Sequence, residues 1–214
     1  NRDMAVVRAA LAKVLSPGAP NSEAAWQEAL KPIPNANGRR TRYLDRAERR
    51  KLVESAGAEA EPFIRALCLL PLRPGALAAL NAGDFDKRTA ELTIGQDKNG
   101  KPRRIQVPSE AAKLLAGQAA DKLPSAPLFM RGNGKRWDKN SWKLPIAAAV
   151  SAAGLPIDAT AYTLRHSTIT DLVSAGLPLL TIAQIYGTSA EMIERHYGHL
   201  ASDAAVKALG VLAI

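Results

Sequence analysis

Cysteine is almost missing from this 214-residue chain. The single thiol, Cys68, excludes an internal disulfide, and its setting between Leu67 and Leu69 reads as a small buried hydrophobe instead of a nucleophile. Aromatic residues make up only 5% of the chain, so the core must be built from Ala, Leu, Ile and Val. No apolar run approaches the length that spans a bilayer, and the N-terminus lacks the charged and apolar regions of a secretory leader. A reducing cytoplasm fits these features. Histidine is scarce too: three imidazoles, one distant cysteine and no HExxH or CxxC spacing exclude a zinc site. Acidic residues number 20 against 29 Lys and Arg, which leaves a net charge of +9.

What is present is positive charge in clusters. Residues 39–51, 97–104 and 131–143 carry +5, +3 and +4, and the remainder of the chain is at −3. Basic charge gathered in short segments suits a polyanionic partner, with nucleic acid first. The residues expected on such a surface are Arg39, Arg40, Arg42, Lys101, Arg103, Arg104, Lys135, Arg136, Lys139 and His166. Apolar content of 47% is ordinary for a chain with a real core, and the length fits one domain, or one domain plus a fragment of another.

Helical spacing of Val6, Val7, Ala10, Leu11, Val14 and Leu15 predicts a helix ending near Ser16-Pro17-Gly18. Residues 31–40 hold two prolines and a glycine and read as a linker, so a lone helix before it suggests a piece of a larger protein. Beyond it, Asp45 with Glu48 three residues on predicts a capped helix running to about Gly57. Further helices are expected at about 61–70, 74–80, 109–120, 139–153, 163–175, 178–186, 189–197 and 203–212. Between them the period changes. Leu92 and Ile94, then Ile105 and Val107, alternate with polar neighbours around an Asn99-Gly100 turn, which predicts antiparallel strands. The fold class is therefore mainly α with a small antiparallel β-sheet, an α+β domain.

Four strings could carry chemistry: Leu72-Arg73-Pro74-Gly75, Lys98 at the hairpin tip, Thr160-Ala161-Tyr162-Thr163-Leu164-Arg165-His166-Ser167, and Arg195-His196-Tyr197-Gly198-His199-Leu200. Each has a plainer reading: a helix-capping arginine, solvated hairpin charge, or a packing tyrosine. Tyr162 and Arg165, three apart, share a helix face, and a guanidinium can grip two phosphate oxygens at once.

In this order, the strings resemble the tyrosine recombinase (phage integrase) family over about residues 41–200. The resemblance implies a catalytic domain at 39–214, preceded at 1–38 by the C-terminal remnant of a helical core-binding domain plus linker. It implies a site-specific recombinase that cleaves and rejoins double-stranded DNA through a 3′-phosphotyrosyl intermediate on Tyr197, with neither metal nor ATP required. Arg73 and Arg165 would clamp the scissile phosphate. Lys98 would protonate the leaving 5′ oxygen, and Tyr162 would stand where histidine is more usual. The last segment, from Ala201, would pack on its own domain or dock on a neighbouring protomer, the chain being a monomer in solution and a multimer on DNA.

Two positions depart from the pattern. Ala76 stands where an acid usually follows the first arginine by three, and Thr188 stands where histidine or tryptophan is expected. Removing one transition-state donor costs roughly 10²–10³ in rate. Either His166 or His196 supplies the missing imidazole, or the domain turns over slowly, or it is an integrase-like module that binds DNA without cutting it. A third alternative is an unrelated helical DNA-binding protein in which the strings coincide.

Overall fold

The computed structural model describes residues 2–14, 27–33, 42–95 and 102–200. The chain divides into two compact units, Asn1–Arg40 and Thr41–Ile214. In the first, helix α1 (Arg2–Val14) forms as its periodicity predicts. Val6 and Val7 are exposed on it.

The second unit starts where the sequence signal is strongest. Helix α2 (Arg46–Glu54) opens with a reciprocal cap: Asp45 Oδ1 accepts from the Glu48 amide at 2.8 Å, and Glu48 Oε2 accepts from the Asp45 amide at 2.8 Å. It buries Leu52 and Val53 against α3 (Glu61–Leu69), whose first turn accommodates Pro62. Helix α3 ends before Pro71, and a short α4 (Pro74–Ala79) opens on Pro74. Strands β1 (Phe85–Asp86), β2 (Glu91–Ile94) and β3 (Arg103–Gln106) form an antiparallel sheet in the order β1-β2-β3. Leu92 pairs with both Phe85 and Ile105, and Ile94 pairs with Arg103. The register buries Leu92 and Ile94 beneath the sheet. The Asn99-Gly100 turn lies outside the described residues, as does the helix expected at 203–212.

Helices α5 (Ser109–Ala119), α6 (Lys143–Ala152), α7 (Ala161–Ser174), α8 (Leu179–Tyr186) and α9 (Ala190–Tyr197) complete the unit, ending in a 3₁₀ turn at Gly198–Leu200. Helix α6 starts at Lys143, later than the expected position 139. Asp138 Oδ1 accepts from the amides of Asn140 (2.7 Å) and Ser141 (3.0 Å), a local turn that competes with helix. Helix α7 starts earlier than expected, at Ala161, where the Thr160 amide donates to the Thr163 hydroxyl at 2.9 Å.

Two apolar clusters result. The larger joins α2–α7 and the sheet, and it gathers much of the scarce aromatic content at one point. There Phe63 stacks on Trp137 and Trp142 at centroid distances of 5.3 and 5.7 Å and meets Phe129 edge-on at 6.1 Å. The smaller cluster holds Ile169 and Val173 of α7 with Ile182, Tyr186, Ile193 and Tyr197. Helix α7 thus belongs to both. Cys68 packs against the larger cluster, and burial pushes its thiol up to about 12, in keeping with a hydrophobe's role.

Polar ties fasten α7 to the start of α2. Ser167, fully buried, donates to the Thr163 carbonyl at 2.9 Å and accepts from the Leu44 amide at 2.9 Å. One turn on, Asp171 accepts from the Tyr43 hydroxyl at 2.7 Å and pairs with the buried Arg49. The bond to Asp171, followed by burial, holds the Tyr43 phenol above its ordinary pKa. Removing Asp171 would leave the Arg49 cation buried without its carboxylate, and breaking such a pair costs about 3–5 kcal/mol. We therefore expect Asp171→Ala to lower the urea-unfolding free energy by about that amount, with Tyr43→Phe costing about 1 kcal/mol.

Candidate active site

The site is built on the end of α8. That helix stops at Gly187, which adopts the left-handed conformation (φ 61°, ψ 50°) that glycine reaches without a Cβ clash. After the turn, the Thr188 amide donates back to the Ala183 carbonyl at 2.9 Å. The last carbonyls of a helix have no partner within it and carry the negative end of its dipole.

Three arginines from distant parts of the chain meet those carbonyls. Arg103 Nε, from β3, donates to the Ile185 carbonyl at 3.2 Å. An Nη of Arg165, from α7, donates to the Tyr186 carbonyl at 2.9 Å. An Nη of Arg73, from the turn before α4, donates to the Gly187 carbonyl at 3.0 Å. Consecutive carbonyls therefore hold three separate guanidinium groups. Arg165 also reaches the Pro71 carbonyl at 3.3 Å, two residues from Arg73, and its Cζ lies 4.9 Å from the Tyr186 ring centroid. At 8% exposure it is a buried cation held by carbonyl dipoles and an aromatic face. The Arg73 contact is with the end of α8, 114 residues away, and not with the adjoining helix α4.

Tyr197 is the last residue of α9 and is 9% exposed. Its hydroxyl lies 2.9 Å from Nδ1 of His166, and the two ring centroids are 5.1 Å apart. His196 meets Tyr197 edge-on at 6.4 Å. Burial pushes the phenol of the neighbouring Tyr186 up to about 12, so it stays protonated. Tyr162 is 45% exposed on α7, one turn before Arg165 and His166. Thr188 sits half-buried at the junction of α8 and α9, directly after the carbonyl that holds Arg73.

The structure thus brings together Arg73 and Arg165 at one helix end, with Tyr197 bonded to the residue that follows Arg165. Lys98, Lys101, Arg39 and Arg40 lie outside the described residues. Among the other basic residues, Lys135 and Lys139 are exposed, Arg42 pairs with Asp158 at 3.0 Å, and Arg104 lies 3.5 Å from Glu91. Arg136 closes the end of α4, where its guanidinium donates to the carbonyls of Ala78, Ala79 and Leu80 and to the side chain of Asn81. Ala76 lies within α4. Sequence reasoning placed Arg103 on the general DNA surface and gave His166 both that place and the alternative of supplying an imidazole to the site; here Arg103 joins the arginine row and His166 meets Tyr197. Among the described residues, no three His, Cys, Asp or Glu side chains gather as a metal site, and no helix is long and apolar enough to cross a membrane.

A family model for the phage integrase family matches residues 43–203. The chain belongs to that family. A tyrosine recombinase XerC from Herpetosiphon aurantiacus is 26% identical to this integrase-family chain over 158 residues, covering 71% of it and 51% of the relative. A second XerC, from Roseiflexus castenholzii, is 30% identical over 139 residues, covering 60% and 43%. The chain spans about half the length of the curated relatives it matches. Among solved structures, the Tn1549 transposon integrase in complex with circular-intermediate DNA superposes with a TM-score of 0.77 at 17% identity, covering 100% of this chain and 78% of that one. XerA recombinase superposes at 0.66 with 22% identity, covering 88% and 72%. The catalytic domain of bacteriophage HP1 integrase superposes at 0.57 with 20% identity, covering 77% and 93%. The fold is that of tyrosine recombinase catalytic domains.

Gly187 sets the geometry of the arginine row. A side chain in the left-handed region costs roughly 1–2 kcal/mol. Gly187→Ala should lower the thermal midpoint accordingly. In heteronuclear NMR it should also shift the Arg73 and Arg165 guanidinium Nε–H resonances, while Gly75→Ala, on exposed backbone with open space at its Cβ, should leave them in place.

Proposed function

We propose that this domain cleaves and rejoins strands of double-stranded DNA in site-specific recombination, with Tyr197 as the nucleophile. The observation that carries the reading is the meeting of Arg73 and Arg165 on adjacent carbonyls beside the Tyr197–His166 pair. Two guanidinium groups side by side repel each other, and a phosphate is the ligand that relieves the repulsion with charge-assisted bonds. In this reading they hold the non-bridging oxygens of the scissile phosphate and offset the extra negative charge of the pentacoordinate transition state.

Tyr197 attacks phosphorus and becomes a 3′-phosphotyrosine, while Lys98 gives a proton to the departing 5′ oxygen. Tyr162 and Thr188 each offer a hydrogen bond to the phosphate where the family pattern has larger or imidazole-bearing groups. Because the phosphodiester energy is kept in the tyrosyl link, attack by a 5′ hydroxyl reseals the strand. Arg39, Arg40, Arg42, Lys101, Arg104, Lys135 and Lys139 supply the positive surface that tracks the duplex backbone, with salt-dependent affinity. Residues 1–38 are read as the end of a helical core-binding domain with its linker, and residues 39–214 as the catalytic domain. The domain would work in the cytoplasm, as a monomer in free solution and a multimer on DNA.

A second reading, a DNA-binding module without turnover, is favoured by Ala76 and Thr188. Nicked duplexes with randomised arms, which trap cleavage intermediates, separate the two. We expect a denaturation-resistant protein–DNA adduct that vanishes in Tyr197→Phe and falls by about 10²–10³-fold in Arg165→Ala. DNA binding with no adduct from any duplex would establish the second reading.

A further inference from the structure

We propose that His166 is the general base of this site: it takes the phenol proton from Tyr197 during cleavage and returns it during rejoining. The assignment rests on the strand-transfer reading above and adds a proton path to it.

The chemistry requires such a group. An ordinary phenol ionises near pH 10, so only about one in a thousand is phenolate near neutrality. Attack by the neutral phenol must shed a proton as the O–P bond forms. The expected imidazole positions cannot receive it, because they hold Tyr162 and Thr188. An imidazole does stand at the nucleophile, with His166 Nδ1 2.9 Å from the Tyr197 hydroxyl, inside the distance a general base needs. Near neutrality most of an ordinary imidazole is unprotonated, so Nδ1 has a lone pair to offer when the ring proton is on Nε2.

The position is fixed, not fortuitous. His166 lies in the middle of α7, between Arg165, which is anchored to the Tyr186 and Pro71 carbonyls, and Ser167, which is anchored to the Thr163 carbonyl and the Leu44 amide. Tyr197 is held in the smaller apolar cluster. His166 and the Arg165 half of the phosphate clamp thus share one helix. A helix presents positions i and i+4 on one face, so His166 carries its imidazole on the same face as Tyr162, one turn along.

The step balances. The phenol proton moves to Nδ1, the Tyr197 oxygen bonds phosphorus, the bond from phosphorus to the 5′ oxygen breaks, and that oxygen takes a proton from Lys98. In rejoining, the incoming 5′ hydroxyl returns its proton to Lys98. The tyrosyl oxygen leaves phosphorus and is reprotonated by the His166 imidazolium. The positive charge placed on the His166 ring during the step arises one residue from Arg165. The phosphorane's added negative charge compensates it during reaction.

The test uses the 214-residue chain and a nicked duplex selected from a randomised pool by covalent capture on the unmodified protein. Two versions of that duplex are compared, one with oxygen and one with sulfur as the leaving 5′ atom. A thiolate leaves without a proton, so sulfur conceals the loss of a general acid but not of a general base. We expect His166→Ala to slow adduct formation by about 10²–10⁴-fold, to remain slow with sulfur, and to recover in part with free imidazole. His166→Asn keeps a hydrogen-bonding atom near the Nδ1 position but cannot take the proton. It should match the unmodified chain in melting and DNA affinity and remain slow, so a folding defect in the alanine variant would not obscure the result. Unchanged rates in His166→Asn, or full recovery with sulfur, would overturn the assignment while leaving strand transfer intact. Failure of the unmodified chain to form any adduct would remove both.

Discussion

The row of carbonyls at the end of α8 is the constraint on which the site depends. A helix that ends inside a protein leaves acceptors that need donors. Here Ile185, Tyr186 and Gly187 are served by Arg103, Arg165 and Arg73, one from the sheet, one from α7 and one from the turn before α4. Each bond alone is modest, since a hydrogen bond to a charged group contributes about 1.5–3 kcal/mol. Their joint effect is positional: segments far apart in sequence must come to one place before those carbonyls are satisfied. The same bonds draw like charges together, and the dipole end and the Tyr186 ring make that tolerable. An anion that displaced part of this network would find its cations already assembled.

Helix α7 transmits the order. Its first half packs in the larger cluster through Leu164, and its second half in the smaller through Ile169 and Val173. On the side tied to α2, Ser167 and Asp171 meet Leu44, Tyr43 and Arg49. Arg165 and His166 are therefore set by contacts made mostly by other residues of the helix. Asp171 bonds to Tyr43 and Arg49, at the end of the helix away from the arginine row, yet damage there should still be felt at the site if the helix shifts. A misplacement of an ångström is enough to cost about 10²-fold in rate.

Much of this was legible in the sequence, for reasons that differ by residue. The Asp45–Glu48 cap is a local motif, so spacing alone revealed it. The alternation at Leu92 and Ile94 marked a half-buried strand. Arg73, Arg165 and Tyr197 emerged from the order of four strings, because a site assembled from separate segments leaves each piece recognisable. What sequence could not supply was the partner of each charge. Arg103 and Arg136 look alike as members of basic clusters, yet one faces the α8 end and the other closes α4. Local composition does not distinguish them, since both partners are main-chain carbonyls that any residue carries. Helix α6 illustrates the opposite failure, where the expected helix extended into a turn claimed by the Asp138 side chain.

The two departures from the family pattern acquire different weights in this light. An acid at position 76 would be one way of orienting Arg73, but the Gly187 carbonyl already holds that guanidinium at 3.0 Å. Ala76 therefore need not leave the clamp loose. Thr188 is another matter, since a hydroxyl cannot accept a proton as an imidazole can. Its position follows the glycine turn, where the chain passes from α8 into α9 and on to Tyr197. Any side chain there is carried by the same backbone that carries the carbonyl row, and in the proposed reaction its hydroxyl would donate to the phosphate. The proton on Tyr197 is a separate demand, and it falls within reach of α7 instead. Dividing donation and proton acceptance between Thr188 and His166 would let the pocket retain both functions with no imidazole at position 188.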